Sequence, residues 1–189
     1  MTAKLIVGVG GTLRNGSSTE AAIRHVLRHA EALGARTRIF TGDDINLPIY
    51  APGQVADTPA IAELIGALRE ADGIVLASPG YHGGISGLVK NAIDYTEEMA
   101  RDPQPYFTDK AVGCIGSGAG WQGCNSTLHA LRSVVHALRG WPTPLGIAFN
   151  SVGRVFDENG ECLVSELDQQ FAIMAKELVR FSLEDSARS

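Results

Sequence analysis

The sequence predicts an α/β fold built on one five-stranded parallel sheet with helices on both faces. Three observations carry this. Five short runs rich in Val, Ile, Leu and Phe recur along the 189 residues, and most are nearly continuous rather than alternating, as strands covered on both sides are. Segments of helical period separate them, and parallel strands need such crossovers, which are right-handed. Five strands with no second half fit the flavodoxin-like order 2-1-3-4-5 better than the six-stranded dinucleotide arrangement.

In chain order, the first strand is Leu5 to Val9. The helix after it runs from about Ser18 to Leu33, with Ile23, Val26, Leu27, Ala30 and Leu33 on one face and Gly34 as its stop. Ser17 and Glu20 stand at capping-box spacing and mark its start. Thr37 to Phe40 is the second strand; Thr58-Pro59 then opens a helix that buries Ile61, Leu64, Ile65 and Leu68. The third strand, Ile74 to Ala77, is expected to end before Pro79, and a helix follows over Gly87 to Met99. Ala111 to Ile115 is the fourth strand. The helix Ser126 to Arg139 follows it, with Leu128, Leu131, Val135 and Leu138 inward and a stop at Gly140. Leu145 to Phe149 is the fifth strand, and the last helix spans Glu166 to about Phe181. The stretch "VGRVFDENGECLVSE", with Asn159-Gly160 as a turn signal, reads as a small excursion before that helix. No repeat or linker divides residues 1–189, so a single domain over the whole length is the expectation.

Composition narrows the function classes. Hydrophobic residues make up 44% and charged residues 20%, the balance of an ordinary globular chain able to bury roughly 70% of its unfolded surface. The net charge of -5 offers no basic footprint for nucleic acid or anionic lipid, so an anionic ligand has to be held locally. Cys114, Cys124 and Cys162 are odd in number and lack C-x-x-C spacing, which argues against a disulfide framework and against zinc; free thiols in a reducing cytosol are expected. The start, "MTAKLIVGVGG", has an apolar run too short for a signal core or a membrane span, so a cytoplasmic location is expected.

Ligands of open α/β sheets bind outside the carboxyl ends of the strands, where the winding reverses. Three loops there are unusual. In "GGTLRNGSSTE" the third glycine of G-x-G-x-x-G is missing at Leu13, and Ser17 stands where a triphosphate-binding loop needs lysine. What remains is a bowl of hydroxyls and backbone N–H groups from Thr12, Ser17, Ser18 and Thr19 at a helix start, with the guanidinium of Arg14, and it suits one terminal phosphate. In the second loop, Pro79, Gly80, Tyr81, His82 and Gly83 expose backbone beside two flat rings and suit a planar aromatic ligand. In the third, "GSGAGWQGCNS" (residues 116–126), four glycines beside Trp121 bare N–H groups that can stabilise negative charge gathering on a reduced heterocycle.

These residues carry a resemblance. Thr12-Leu13-Arg14-x-x-Ser17-x-Thr19, then Pro79-x-Tyr81 continuing into "GLVKNAIDY" (residues 87–95), resembles the NADPH-dependent FMN reductase family, a flavodoxin-like group that includes azo, quinone and chromate reductases. The resemblance covers about the first 150 residues. It implies FMN with its phosphate on Thr12, Arg14, Ser17 and Thr19, its isoalloxazine along Pro79, Gly80, Tyr81, His82 and Gly83, and Ser117, Gly118 and Gly120 near the pyrimidine end. NADPH or NADH is then the reductant, passing a hydride to the flavin; the electron acceptor is a small molecule, a quinone, azo compound, metal oxyanion or free flavin; and a homodimer or homotetramer is the assembly. The chain departs from the family's frequent P-E-Y-N at Gly80 and His82, and from its frequent asparagine at Thr19. His82 is the nearby group able to donate a proton and is the candidate catalytic residue. The rival reading is a flavodoxin-like electron carrier or flavin-binding module without NAD(P)H turnover of its own.

Other candidates are weaker. Ser86 in "GISGL" lacks the final glycine of a nucleophile elbow. His25 and His29, four apart on the first helix, share a face with Arg28 and Ala32 and read as solvated surface residues, so no metal site is expected. His129, Arg132, His136 and Arg139 form a polar stripe, a candidate subunit contact, and Lys90 with Asp94 is a surface pair.

Overall fold

The computed structural model describes residues 3–53 and 58–182. Its elements are β1 (Leu5–Gly10), α1 (Ser18–Ala32), β2 (Arg36–Phe40), α2 (Pro59–Glu70), β3 (Gly73–Tyr81), β4 (Gly84–Ile85), α3 (Gly87–Asp94), β5 (Ala111–Gly118), α4 (Trp121–Ala137), β6 (Trp141–Pro142), β7 (Ile147–Asn150) and α5 (Ser165–Arg180). Short 3-10 turns lie at Gly42–Ile45 and Tyr95–Met99. The sheet runs β2-β1-β3-β5-β6, all parallel, with β7 pairing further along β5 and β4 antiparallel to the end of β3.

Alternation along the strands sorts their side chains into two cores. Ile6, Val75, Ala77 and Ile115 meet α1 and α5 through Ile23, Val26, Phe171 and Met174. Leu5, Val7, Val9, Leu76 and Cys114 meet α2, α3 and α4 through Leu64, Leu68, Val89 and Leu131. Both faces are covered, which is why the strands read as continuous apolar runs. The helix starts are capped as the sequence indicates: Ser17 Oγ accepts from the Glu20 N–H at 3.3 Å and Thr58 Oγ1 from the Ile61 N–H at 3.4 Å. Ser86 does the same for α3, accepting from the Val89 N–H at 3.3 Å, so its hydroxyl is a cap and not a nucleophile.

The sheet has seven strands where five are expected from the sequence. The fifth position is split: β6 pairs Trp141 and Pro142 with Ala111 and Val112 through the Trp141 and Thr143 N–H groups, but the Leu145 N–H that would continue the ladder donates to Glu177 Oε2 on α5 at 3.1 Å, and β7 resumes only at Ile147 opposite Ile115. The fifth strand is therefore Ile147–Asn150, not Leu145 to Phe149. Pro79 does not end the third strand. It pairs with Ser117 beyond the point where β1 stops at Gly10, so one side of β3 is an edge there, and the strand continues to Tyr81. It then doubles back as a hairpin, Gly80 opposite Ile85 and Tyr81 opposite Gly84. The two residues between, His82 (φ 52°) and Gly83 (φ 86°), both take the left-handed conformation that two-residue hairpin loops favour.

Three helix expectations also change. The fourth helix begins at Trp121 rather than Ser126, and Gly120 enters it with no side-chain cap. The third helix is α-helical only to Asp94, and Leu33 is left exposed beyond the end of α1. His25 is not a solvated residue: it is 4% exposed, because α5 and the 151–164 excursion fold over that face of α1. The excursion itself follows its turn signal, with Phe156 bridging Cys162 and Gly160 at φ 81°. Lys90 pairs with Asp94 at 2.6 Å on the surface. The polar stripe of α4 is broken up: Arg132 donates to Thr143 O at 2.8 Å, and Arg139 leaves the helix to lie over the Tyr106 ring.

Candidate functional site

The ends of β1, β3 and β5 come out at one edge of the sheet, with Gly10 opposite Ala77 and Ser78 opposite Gly116. Glycine is required at the first crossing: Gly10 has φ 148°, and a Cβ there would lie 1.9 Å from the Ala77 carbonyl oxygen. The first loop then turns away over Gly11, whose N–H reaches Ala77 O at 3.3 Å. Thr12 Oγ1 accepts from the Arg14 N–H at 3.1 Å and so shapes the loop locally. Leu13, Arg14, Asn15 and Gly16 are exposed, and Arg14 forms no ion pair among the described residues. The loop after β2 lies behind it, with Gly42 close to Asn15.

The N–H groups that head α1 point toward this loop, as helix starts do. Ser17 is buried and spends its oxygen on the Glu20 N–H, with its own proton still to give. Thr19 is also buried, and its hydroxyl lies 2.7 Å from that of Ser117 on β5. That bond ties the first loop to the third. It also takes up the side chain that the sequence offers to a phosphate, so the contribution left to Thr19 is its N–H. Glu20 beside it accepts from the Gly16 N–H at 3.2 Å and from Arg24 at 2.8 Å, which offsets its charge.

The second loop is the β3–β4 hairpin. Gly80 is glycine because α4 passes against it: a Cβ would meet Thr127 Oγ1 at 2.6 Å and Gly123 O at 2.8 Å. Thr127 in turn donates to Gly84 O at 3.2 Å and clamps the return strand. Tyr81 (55% exposed), His82 and Gly83 project from the tip. Behind them Ser78 Oγ accepts from the Ser86 N–H at 2.9 Å. The third loop is shorter than the sequence suggests. Ser117 and Gly118 end β5, Gly120 leads into α4, and Trp121, 61% exposed, is the first residue of that helix. The uncapped head of α4 leaves N–H donors toward the hairpin and the end of β5.

The sequence reading missed three parts of this arrangement. One is the head of α4, hidden because Gly123 and Ser126 look like loop and cap. Another is Thr127, which reads as an ordinary helical residue. The last is the loop after β7, where the Ser151 N–H donates to Gly118 O at 2.8 Å and Val152 is exposed; nothing in its sequence signals the contact. Cys124 lies beneath, with Sγ 3.0 Å from Phe149 O, and burial pushes its thiol up. Burial pushes the Cys114 thiol up to about 12, so neither group is a nucleophile at neutral pH.

The donor set defines a ligand. At one end stand a free guanidinium, a hydroxyl proton and the N–H groups of a fifteen-residue helix; at the other, glycine-bared backbone, a second helix head and exposed rings. Donors of this kind suit a phosphate group at one end and a flat heterocycle at the other. A parallel sheet of this winding with such a site defines a flavodoxin-like, flavin-binding protein. Among solved structures, the flavoenzyme NAD(P)H:(acceptor) oxidoreductase of Paracoccus denitrificans matches with a TM-score of 0.73 at 20% identity, over 94% of this chain and 96% of that one. The same fold is seen in an oxidoreductase of Corynebacterium diphtheriae, TM-score 0.70 and 20% identity, over 94% and 95%. The sequence profile of the NADPH-dependent FMN reductase family matches residues 5–152, and the chain belongs to that family. It is 27% identical to an NAD(P)H-dependent FMN reductase of Pseudomonas aeruginosa, over 92% of this chain and 96% of the relative. It is 28% identical to an FMN-dependent NADPH-azoreductase of Staphylococcus aureus, over 88% and 86%. The chain is thus an oxidoreductase that uses FMN and a reduced nicotinamide.

Proposed function

We propose that the three loops form one FMN site in a domain comprising the whole chain, and that the enzyme passes electrons from NAD(P)H to a planar organic acceptor such as a quinone or an azo compound. Bound FMN supplies the two-electron chemistry between the two substrates. The chain's own residues bind and orient. Arg14, the Thr12 and Ser17 hydroxyls and the N–H groups of Ser18 and Thr19 hold the phosphate, with the α1 dipole favouring its charge. Pro79, Gly80 and Gly83 give the ring a bare backbone to lie on. The N–H groups of Ser117, Gly118 and Gly120, with the head of α4, stabilise negative charge at its pyrimidine end. Tyr81 and Trp121 stay exposed at the rim, where a nicotinamide or a flat acceptor stacks. His82, at the hairpin tip, donates the proton that the reduced acceptor needs.

The observation that carries this reading is the Thr19–Ser117 bond at 2.7 Å, which locks the head of α1 to the end of β5 and so fixes the distance between phosphate and ring ends. The open rim and the exposed apolar residues Tyr81, Trp121 and Val152 support a homodimer that covers part of this edge. Among the described residues no helix is long and apolar enough to cross a membrane, and the free thiols support a reducing, cytoplasmic setting.

Anaerobic stopped-flow mixing of the FMN-loaded protein with NADPH, and separately with NADH, tests the function. Rapid loss of the flavin's visible absorbance, restored by a quinone or azo compound, is the expected result. Flavin that stays oxidised with both nicotinamides, and is reduced only by a partner protein, would make the chain an electron carrier.

A further inference from the structure

Outside the flavin loops, three metal-binding side chains converge where α1 meets α5. His25 and His29 stand one helical turn apart on α1. Asp168, in the first turn of α5, places a single carboxylate oxygen 2.9 Å from His25 Nδ1 and 3.1 Å from His29 Nε2. The three ligand atoms all lie within 4.8 Å of one another. His25 is almost wholly buried, its ring held between Phe156 and Phe171 with centroids 5.5 and 5.6 Å away. His29 and Asp168 keep about a third of their side chains in solvent, which leaves an entry path.

Proton bookkeeping shows that hydrogen bonds alone do not satisfy this cluster. His25 Nε2 faces the Gly160 carbonyl oxygen at 2.9 Å and the Arg28 guanidinium at 2.8 Å. The carbonyl needs an N–H from the ring and the guanidinium needs a lone pair, and one nitrogen cannot provide both. With a proton on Nδ1 toward Asp168, neutral His25 serves Arg28 and fails Gly160; with both nitrogens protonated it serves Gly160 and meets a second cation. A metal ion on Nδ1 resolves the conflict on one side. It fixes the proton on Nε2, aimed at Gly160 O, which is the outer-shell carbonyl bond that metal-bound histidines commonly make. Arg28 retains Glu161 as its partner.

We propose that His25 Nδ1, His29 Nε2 and an Asp168 carboxylate oxygen form a binding site for one divalent first-row transition ion of the zinc class. Two imidazoles and one carboxylate suit such an ion and not magnesium or calcium, which prefer all-oxygen shells. Bonds of about 2.0–2.2 Å in a tetrahedral arrangement call for ligand atoms roughly 3.3 Å apart, so the Asp168 oxygen has to retreat by a few tenths of an ångström and the two imidazole nitrogens, within 4.8 Å of each other, have to settle to that separation by ring rotation. Solvent takes the fourth position. The role is structural: the ion pins the 151–164 excursion, through Gly160, to both helices. His25 lies seven residues below Ser18, about 10 Å along α1, so the site and the flavin loops share a helix without sharing ligands.

The test uses the full chain, stripped with chelator, dialysed and loaded with FMN as a folding control. Calorimetric titration with zinc is expected to show one ion per chain, and the melting temperature should rise by about 5–10 °C at a hundredfold excess over Kd. His29→Gln and Asp168→Asn, both at partly exposed positions, should each weaken that binding at least tenfold while FMN content stays the same. Zinc-edge X-ray absorption of the unmutated protein should show two imidazoles and only oxygen or nitrogen donors, a readout that holds even if a variant misfolds. The proposal is overturned if the stripped protein takes up no zinc. It is equally overturned if both variants bind as tightly as the parent, which would place the ion on surface histidines such as His129 and His136, or if sulfur appears in the shell.

Discussion

Replacing Thr19 by valine removes one hydroxyl at almost constant volume and leaves Ser117, which is 2% exposed, with a buried hydroxyl and no protein partner. No buried side-chain nitrogen or oxygen among the described residues lacks a partner at present, so the substitution creates a new defect. An orphaned buried hydroxyl costs about 1–3 kcal/mol. For a chain of this length each kcal/mol is worth about 2–4 °C, so a 2 kcal/mol loss lowers the melting temperature by roughly 4–8 °C. Ser117→Ala alone orphans Thr19 and falls in the same range. The double variant removes both hydroxyls and is expected to be closer to the parent than either sum suggests, with a coupling of about 1–2 kcal/mol. The assay is urea unfolding of the four apo proteins, followed by FMN titration of each. Because the two hydroxyls face each other, the double variant should keep FMN affinity within about threefold of the parent, less than about 1 kcal/mol. Costs that add to within about 0.5 kcal/mol would show that the bond is not coupled, and a collapse of FMN affinity in the double variant would show that one hydroxyl touches the cofactor instead.

Other consequences are as direct. Arg14→Ala should raise the Kd for FMN by about ten- to a hundredfold, the loss of one charge-assisted contact, read by flavin fluorescence titration, without moving the melting temperature of the apo protein, read by circular dichroism. Gly80→Ala puts a methyl 2.6–2.8 Å from Thr127 Oγ1 and the Gly123 carbonyl, and should cost about 1–3 kcal/mol of stability together with FMN affinity; a variant as stable as the parent would mean that α4 moves freely. The Cys114 thiol, raised by burial from 9.0 to about 12, bears on alkaline stability. Its unfolded form ionises first, so its contribution is intact below pH 9 and is lost as pH climbs toward 12, on the order of 4 kcal/mol at about 1.4 kcal/mol per pK unit. A parent-minus-Cys114→Ala stability difference that stays flat across that range would refute the burial argument.

Much of this molecule is readable from local chemistry. Strand positions, the cap at Ser17, proline after Thr58, and the turn at Gly160 all follow from residues within a few places of one another. The first loop is legible for the same reason: its hydroxyls, arginine and helix start are contiguous. The split of the fifth strand is not local, because the Leu145 N–H that would continue the ladder is taken by Glu177, 32 residues further on. The other readings failed wherever a distant segment supplied the partner. Pro79 breaks a strand only if a neighbour needs its N–H, and β1 has already ended there. The helix of Trp121 begins among glycines because it packs on Gly80 and Gly116, not because its own residues favour helix.

The sequence by itself therefore determined the winding of the sheet, the donor chemistry of the first loop and the family, since these depend on periodicity and on motifs within one loop. Only the tertiary structure decided that the Thr19 hydroxyl belongs to Ser117, that the second loop is a hairpin displaying His82, and that His25 is buried against Asp168. Each of these joins residues far apart in the chain, 98 apart for the first and 143 for the last. A hydroxyl or imidazole has several possible partners in composition and spacing, and packing alone selects the one that it meets.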